Sequence, residues 1–208
     1  MSEPVAAAGG LSRRGLLWTA GAAVGAVTLT TAGQTFRPLK DVASLAPRAP
    51  DIGPQGLPVN RTAGGAGVLQ TARAPGWRLQ VMGAVDRPLS LSLDDLRALP
   101  QHAAELPISC VEGWSASATW GGVRVRDLLE RAGAAPGAEV VVRSLQTRGS
   151  FRSSELNTIF AQHDDTLLAL DINGEPLHLD HGFPCRLIAP NRPGVMLTKW
   201  VMALEVRT

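Results

Sequence analysis

The order of apolar and polar residues predicts short strands and short helices that alternate without a regular repeat. Residues 77–82 alternate apolar and polar side chains, as a half-buried strand does. Residues 91–99 and 125–132 have helical apolar spacing, and Ser92 is a suitable N-cap for the first of them. Further strands are predicted over residues 139–145, 167–172, 185–189 and 200–206, and a helical turn over residues 153–162. Since no strand–helix unit repeats, we expect an α+β domain of mixed sheets with short helices rather than a doubly wound sheet.

The first 74 residues have a different pattern from the rest of the chain. Two adjacent arginines precede an apolar run, residues 16–32, that is rich in Ala and Gly. Residues 1–32 therefore resemble a twin-arginine export signal, with a single membrane anchor as the alternative. Residues 33–74 are rich in Pro, Gly and Ala without a helical or strand period, which indicates a tether and an extended arm. Both interpretations place the remaining domain, residues 75–208, outside the cytoplasm, in the periplasm or on the outer face of the cytoplasmic membrane.

Composition and charge narrow the class of protein. A chain of 208 residues is long enough for one sizeable domain with an appendage. The formal net charge of +2 gives no reason to expect a nucleic-acid partner. Cys110 and Cys185 are the two cysteines, and neither has the spacing of a zinc or haem site, although together they could form one disulfide. Since the sequence has no C-x-x-C-H motif, we expect no c-type haem in this chain.

The residues best suited to chemistry cluster around Cys110. Residues 108–115 (ISCVEGWS) and residues 120–123 (WGGV) bring a thiol and two indoles together between glycines. A loop of this composition can present a thiolate from a strand end into a cavity walled by indoles, and thiolates are soft ligands that suit thiophilic metals. The simpler alternative is that Cys110, Trp114 and Trp120 are ordinary core residues.

Several motifs in the expected order resemble sulfite oxidase-type molybdopterin domains, most closely the bacterial exported reductase branch. The first is the metal-ligand loop, residues 110–115, followed by the WGG sequence at residues 120–122. Three later motifs follow. Residues 165–177 resemble a strand and turn of the family, residues 181–190 its second cofactor segment, and residues 197–206 its closing stretch. The resemblance runs from about residue 77 to residue 206, and it implies a molybdenum cofactor with a single pterin.

The resemblance also implies a role for each matching residue. Cys110 would supply the thiolate ligand to molybdenum. Arg186 and Lys199 would hold the phosphate and heteroatoms of the pterin, for which a forked guanidinium and an ammonium are suited. Taken alone, these two cations would be ordinary surface charges. Cys185 falls on an apolar strand position of the family pattern, which places it in the core. Further cofactor contacts are implied for Asn60, Ser144, His181, Leu197 and Thr198.

The implied activity is oxygen-atom transfer to or from a small substrate, with sulfur compounds among the candidates. Electrons would be exchanged with a separate partner, a membrane cytochrome or a quinone-linked protein. Sulfite oxidases of the family use an active-site Tyr, which this sequence lacks, and a C-terminal dimerisation domain, which does not follow Thr208. We therefore expect a monomeric, reductase-like protein. For Arg148 and Arg152 two interpretations are equally good: they line an anion pocket, or they are solvated charges on a loop.

Two alternatives come from other classes of protein. In one, Cys110 is the nucleophile of a hydrolase or transferase, with His181 as its base. In the other, the domain is a membrane-tethered binding module that has the fold but holds no cofactor. Thiol alkylation would inactivate the first, and neither would contain molybdenum.

Overall fold

The computed structural model describes residues 12–32, 53–111 and 113–207 of the chain. One helix, α1 (Arg13–Ala32), covers the apolar run that was predicted as an export signal or anchor. In the described part of the chain, no helix is both long enough and apolar enough to cross a membrane. Residues 33–52 of the predicted tether lie outside the described residues. The remaining described residues belong to a second compact unit, Pro50–Thr208.

Two five-stranded sheets form the framework of this second unit. The strands are β1 (Leu79–Gly83), β2 (Leu89–Leu91), β3 (His102–Ser109), β4 (Ser115–Arg124), β5 (Glu139–Ser144), β6 (Ser153–Leu156), β7 (Leu167–Ile172), β8 (Glu175–Pro176), β9 (Arg186–Ile188) and β10 (Val201–Arg207). The first sheet has the order β2-β1-β10-β5-β6, and the second has the order β3-β4-β7-β8 with β9 paired to β7. Strand β1 runs parallel to β10, whereas β3, β4 and β7 pair in an antiparallel manner. The mixed α+β class expected from the sequence is confirmed.

Short helices connect the strands, and local sequence explains where they begin and end. They are α2 (Leu69–Arg73), α3 (Leu93–Ala98), α4 (Val125–Ala132) and α5 (Thr158–Ala161). Ser92 caps α3 as predicted, because its hydroxyl accepts from the Asp95 amide while the Asp95 carboxylate accepts from the Ser92 amide. Helix α4 ends at Gly133, whose φ of 72° lies in the left-handed region that favours glycine. The predicted helix over residues 125–132 is therefore confirmed at both ends.

Two parts of the sequence prediction need correction. Residues 153–162 were predicted as a helical turn, but Ser153–Leu156 is strand β6, which pairs with β5 along the sheet edge. Only Thr158–Ala161 is helical, and Asn157 caps it. The long hairpin formed by β3 and β4 was not predicted, although Cys110 was expected at a strand end. Its Ala, Ser and Gly positions provide little alternation of apolar and polar residues, so tertiary pairing decides the conformation.

Residues 53–74, here named the strap, precede the first strand of this unit. These residues were predicted as part of an extended arm, and they contain the short helix α2. Ala63, Val68 and Ala72 are buried against Trp200 in a small cluster separate from the main cores. The burial of these small side chains holds the strap against the domain, although the strap sequence has no regular spacing of apolar residues.

Candidate functional site

A cavity of about 350 Å³ lies between the strap, the β3–β4 turn, the β5–β6 loop and the segment from residue 181 to residue 200. A volume of this size is within the range of small-molecule and cofactor sites. Seven of the eight predicted site residues line this cavity, although they are far apart in the sequence. These lining residues are Asn60, Cys110, His181, Arg186, Leu197, Thr198 and Lys199.

Cys110 is presented at the carboxyl end of β3 by a tight turn. The Cys110 amide donates to the Trp114 carbonyl at 2.8 Å, and the Gly113 amide donates to the Cys110 carbonyl at 3.0 Å. Gly113 has a φ of 87°, a conformation that favours glycine. Cys110 is half-buried, whereas Val111 beside it is exposed at the cavity mouth. The turn therefore fixes the thiol at the cavity wall while leaving access from solvent.

Asn60 of the strap connects the thiol to an indole. Its Nδ2 donates to Cys110 Sγ at 2.6 Å, and its Oδ1 accepts from Trp114 Nε1 at 3.0 Å. Trp114 itself is buried, with 7% of its surface exposed. The predicted cofactor contact Asn60 therefore touches the predicted metal ligand directly.

Arg186 is a buried cation. Its side chain is stacked 5.3 Å from the Trp120 ring centroid, and its Nη1 donates to the His181 carbonyl at 3.2 Å. Its Nε is buried without a hydrogen-bond partner, and no described carboxylate lies within salt-bridge distance of it. Burial lowers the pKa of Arg186 to about 10, so the guanidinium remains charged at neutral pH. A buried cation without a counter-charge is costly, and a bound anion would remove that cost.

Lys199 joins the cavity wall to the strap. Its Nζ donates to the carbonyls of Arg61 at 2.5 Å and Asp180 at 2.7 Å, and it lies 4.6 Å from the Trp200 ring centroid. Burial, reinforced by the charge on Arg186, lowers the pKa of Lys199 to about 7. The ammonium is therefore easily gained or lost near neutral pH.

His181 is a neutral residue that holds the strap. Its Nε2 lies 2.6 Å from the Pro54 carbonyl, which can only accept, so Nε2 carries the proton. Burial lowers the pKa of His181 to about 4, and the nearby cations Arg186 and Lys199 act in the same direction. With Nε2 occupied, Nδ1 is the ring nitrogen that can accept a further hydrogen bond.

The remaining predicted contacts divide into two groups. Thr198 and Leu197 are buried at the cavity wall, and the Thr198 hydroxyl is 2.7 Å from the Ser154 hydroxyl. Ser144 is the predicted contact that does not line the cavity. Its hydroxyl donates to the Lys199 carbonyl at 2.7 Å, so it supports the backbone of Lys199 instead.

The charges on the cavity wall suit an anion. Among the described lining residues, the ionised side chains are the cations Arg61, Arg186 and Lys199, and no carboxylate is present. The described residues also contain no group of three His, Cys, Asp or Glu side chains that could hold a metal ion. Any metal bound at Cys110 would therefore need most of its ligands from a non-protein group.

The structure also shows where the second cysteine and the side chains of the β5–β6 loop lie. Cys185 is fully buried, its pKa is raised by burial, and both cysteines are thiols rather than a disulfide pair. Arg148 and Arg152 are exposed, and the β5–β6 loop contributes other side chains to the cavity. Phe151 lines the cavity with 57% of its surface exposed, and no sequence motif predicted this position.

The lowered pKa of Lys199 makes anion binding pH-dependent. A dianion such as sulfate favours the charged ammonium, so binding at about pH 8 should raise this pKa and take up protons. Calorimetry of sulfate binding in buffers with different ionisation enthalpies measures this uptake. We expect uptake by the cofactor-free wild type, none by Lys199→Met, and none by Lys199→Arg, because arginine is already charged. Equal uptake by wild type and Lys199→Met would contradict this role for Lys199.

The comparisons with known proteins agree with this geometry. The family model described as "Oxidoreductase molybdopterin binding domain" matches residues 66–208. The uncharacterised oxidoreductase YuiH of Bacillus subtilis is 37% identical over 62% of this chain and 64% of its own. A putative protein-methionine-sulfoxide reductase subunit of Azospira oryzae is 35% identical over 64% of this chain and 50% of its own. Human mitochondrial sulfite oxidase is 30% identical over 63% of this chain and 29% of its own.

A solved structure of the same fold also matches this chain. The sulfane dehydrogenase SoxCD of Paracoccus pantotrophus matches with a TM-score of 0.58 and 26% identity, over 64% of this chain and 38% of that chain. The chain thus spans less than two thirds of the relatives it matches. The resemblance found in the sequence motifs is confirmed, and this chain belongs to the oxidoreductase family defined by the molybdopterin-binding domain.

Proposed function

We propose that the chain is an exported molybdenum–pterin oxidoreductase that reduces small sulfur-containing substrates with electrons from a separate partner. The observation that carries the proposal is the pairing of one accessible thiol, Cys110, with a buried and uncompensated cation, Arg186, in a single cavity. A thiolate suits a soft metal, and the cation suits an anionic pterin phosphate. Family membership supplies the cofactor class, and the donor set of the cavity fits it.

The residues that would hold the cofactor follow from this donor set. Cys110 is the proposed protein ligand to molybdenum. Arg186 and Lys199 would bind the phosphate and heteroatoms of a single pterin, where the Arg186 Nε is a buried donor in need of an acceptor. Asn60 and Thr198 would add polar contacts from the cavity lining. When bound, the cofactor supplies two-electron oxygen-atom transfer chemistry.

The protein side chains would orient the reactants and control protons. His181 is neutral at physiological pH and bound to Pro54, which leaves its Nδ1 as an acceptor at the cavity wall. The described lining residues near the mouth include the apolar Val111 and Phe151, which would exclude water around a bound substrate. Because Cys110 Sγ accepts from Asn60 and His181 Nε2 binds Pro54, these contacts favour the metal-ligand role over a Cys–His nucleophile pair.

The substrate proposal rests on the methionine-sulfoxide reductase subunit among the relatives and on the absence of Tyr from this sequence. In sulfoxide reduction the S–O bond breaks, the thioether leaves, and two electrons and two protons convert the oxygen atom to water. The electrons would come from a membrane cytochrome or a quinone-linked protein, since this sequence has no C-x-x-C-H haem motif. The paired arginines Arg13 and Arg14, which begin α1, support export by a twin-arginine route.

Dye-linked kinetics test the direction and the substrate class. We expect the loaded enzyme to oxidise a reduced viologen dye when methionine sulfoxide is added, and to form the thioether. Cys110→Ser should lower this rate at least about 100-fold, whereas Cys185→Ala, which removes the core thiol, should retain it. Faster oxidation of sulfite with ferricyanide than reduction of sulfoxide would contradict the reductase proposal.

A further inference from the structure

The orientation of the Asn60 side chain is decided by Trp114. An amide has a donor end and an acceptor end that exchange by a 180° rotation, so its neighbours determine which end faces which group. The Trp114 indole N–H can only donate, and it donates to Asn60 Oδ1 at 3.0 Å. The Nδ2 end is then directed to Cys110 Sγ, at 2.6 Å.

We infer that Trp114 is a positioning residue for the molybdenum site, because its indole N–H locks the Asn60 amide with the donor end on the Cys110 sulfur. This inference rests on the proposed function, in which Cys110 is the metal ligand. Trp114 acts through Asn60 and has no need to touch substrate or cofactor.

Trp114, Cys110 and the strap next to Asn60 are each held in place by contacts other than those of the Asn60 amide. Trp114 is buried, and its carbonyl accepts the Cys110 amide at 2.8 Å, so the indole and the thiol move as one turn. Asn60 is followed in the strap by Arg61, whose carbonyl accepts from Lys199 Nζ, and the Ala63 amide donates to Asp180 at 2.7 Å. The strap backbone on the C-terminal side of Asn60 is therefore held, and the indole N–H fixes the remaining side-chain rotation of Asn60.

Loss of the indole N–H releases that rotation. The amide can then rotate so that Nδ2 turns away from the sulfur, and the sulfur loses a donor that was held at a fixed angle. A donor on a thiolate ligand holds the sulfur in one orientation and withdraws electron density from it, which changes the sulfur-to-metal charge transfer, and loss of such outer partners generally weakens metal binding. Trp114→Phe should therefore reproduce the effect of removing the amide altogether, although it leaves Asn60 in place.

The test is a double-mutant cycle on the loaded protein, with Trp114→Phe, Asn60→Leu and the double variant. Asn60→Leu keeps the size of the side chain and removes both polar ends. The readouts are the energy of the sulfur-to-molybdenum charge-transfer band and the rate of molybdenum loss after dilution. Trp77→Phe is the matched control, because the Trp77 indole N–H is buried without a hydrogen-bond partner and packs in a different core. Thermal unfolding of every variant reports on the fold.

We expect Trp114→Phe and Asn60→Leu to shift the band in the same direction and to increase the rate of molybdenum loss about 10-fold or more. The double variant should match the single variants, and Trp77→Phe should match the wild type. A band shift in Asn60→Leu but not in Trp114→Phe would overturn the inference, as would additive effects in the double variant. Molybdenum-free wild type would instead overturn the proposed function and the inference with it, so metal content separates the two failures.

Discussion

Replacement of Arg186 by methionine is expected to stabilise the cofactor-free protein and to abolish retention of the cofactor. The guanidinium is 6% exposed, its Nε has no hydrogen-bond partner, and no described carboxylate pairs with it. Replacing a buried charge that lacks compensation by an apolar side chain of similar length is expected to gain on the order of 1–3 kcal/mol. The gain should hold throughout the neutral range, because Arg186 stays charged at every pH below its lowered pKa of about 10, and the cost of burying that charge is then constant.

The same change should have the opposite effect on the loaded protein. Loss of one partner from a buried charge pair costs roughly 2–5 kcal/mol, which corresponds to a loss of cofactor affinity of about 30-fold or more. Urea unfolding of the cofactor-free variant measures the first effect, and molybdenum content after gel filtration measures the second. Arg186→Lys is the matched control, since it keeps a charge without the fork and should lose affinity without gaining stability. A cofactor-free Arg186→Met protein that is less stable than wild type would contradict the account of Arg186 as an uncompensated cation.

Gly122→Ala is expected to destabilise the fold by at least about 3 kcal/mol. A Cβ atom at Gly122 would lie 2.1 Å from the Leu168 carbonyl oxygen and 2.7 Å from the Ala169 Cα. Both atoms belong to the backbone of β7, at a point where the β4–β7 register shifts, so no side-chain rotation can relieve the contact. The two strands would have to separate at the middle of the second sheet.

Gly121→Ala provides the matched control on the neighbouring residue. The closest atom to a Cβ there is the Asp171 Cβ at 3.6 Å, which is an ordinary van der Waals contact. We expect this variant to be within about 1 kcal/mol of wild type, because alanine also lowers the entropy of the unfolded chain. Equal losses of unfolding free energy in the two variants would show that the close contact between Gly122 and the β7 backbone does not cause the destabilisation.

The parts of the fold that the sequence predicted well have strong local patterns. Helix α4 combines an amphipathic stripe with Gly133 at its end, and α3 has the Ser92 cap, so both were located correctly. The strand β5 is a β-branched run at an inner position of its sheet. The β3–β4 hairpin was missed because small and polar residues occupy much of its length, and many of them stay exposed, so its sequence shows little of the alternation of a half-buried strand.

The site was predictable from motifs but not from local patterns. Cys110 and Arg186 were found through the family resemblance, whereas their burial and contacts depend on tertiary packing. The strap has no apolar period, and it is held by isolated polar contacts such as the one between His181 and Pro54, 127 residues apart in the sequence. Ser144 was predicted as a cofactor contact, and in the structure its hydroxyl donates to the Lys199 carbonyl and supports the backbone of that residue.

The central claim is that this domain binds molybdenum through Cys110, and metal analysis tests it most directly. Wild type, Cys110→Ser and the core variant Cys185→Ala would be purified from a host that makes molybdopterin and analysed by inductively coupled plasma mass spectrometry and absorption spectroscopy. The account predicts near-stoichiometric molybdenum in wild type and Cys185→Ala, and loss of the metal or of its redox-active spectrum in Cys110→Ser. Well-folded wild type without molybdenum, or a Cys110→Ser protein with the metal content and spectrum of wild type, would contradict it.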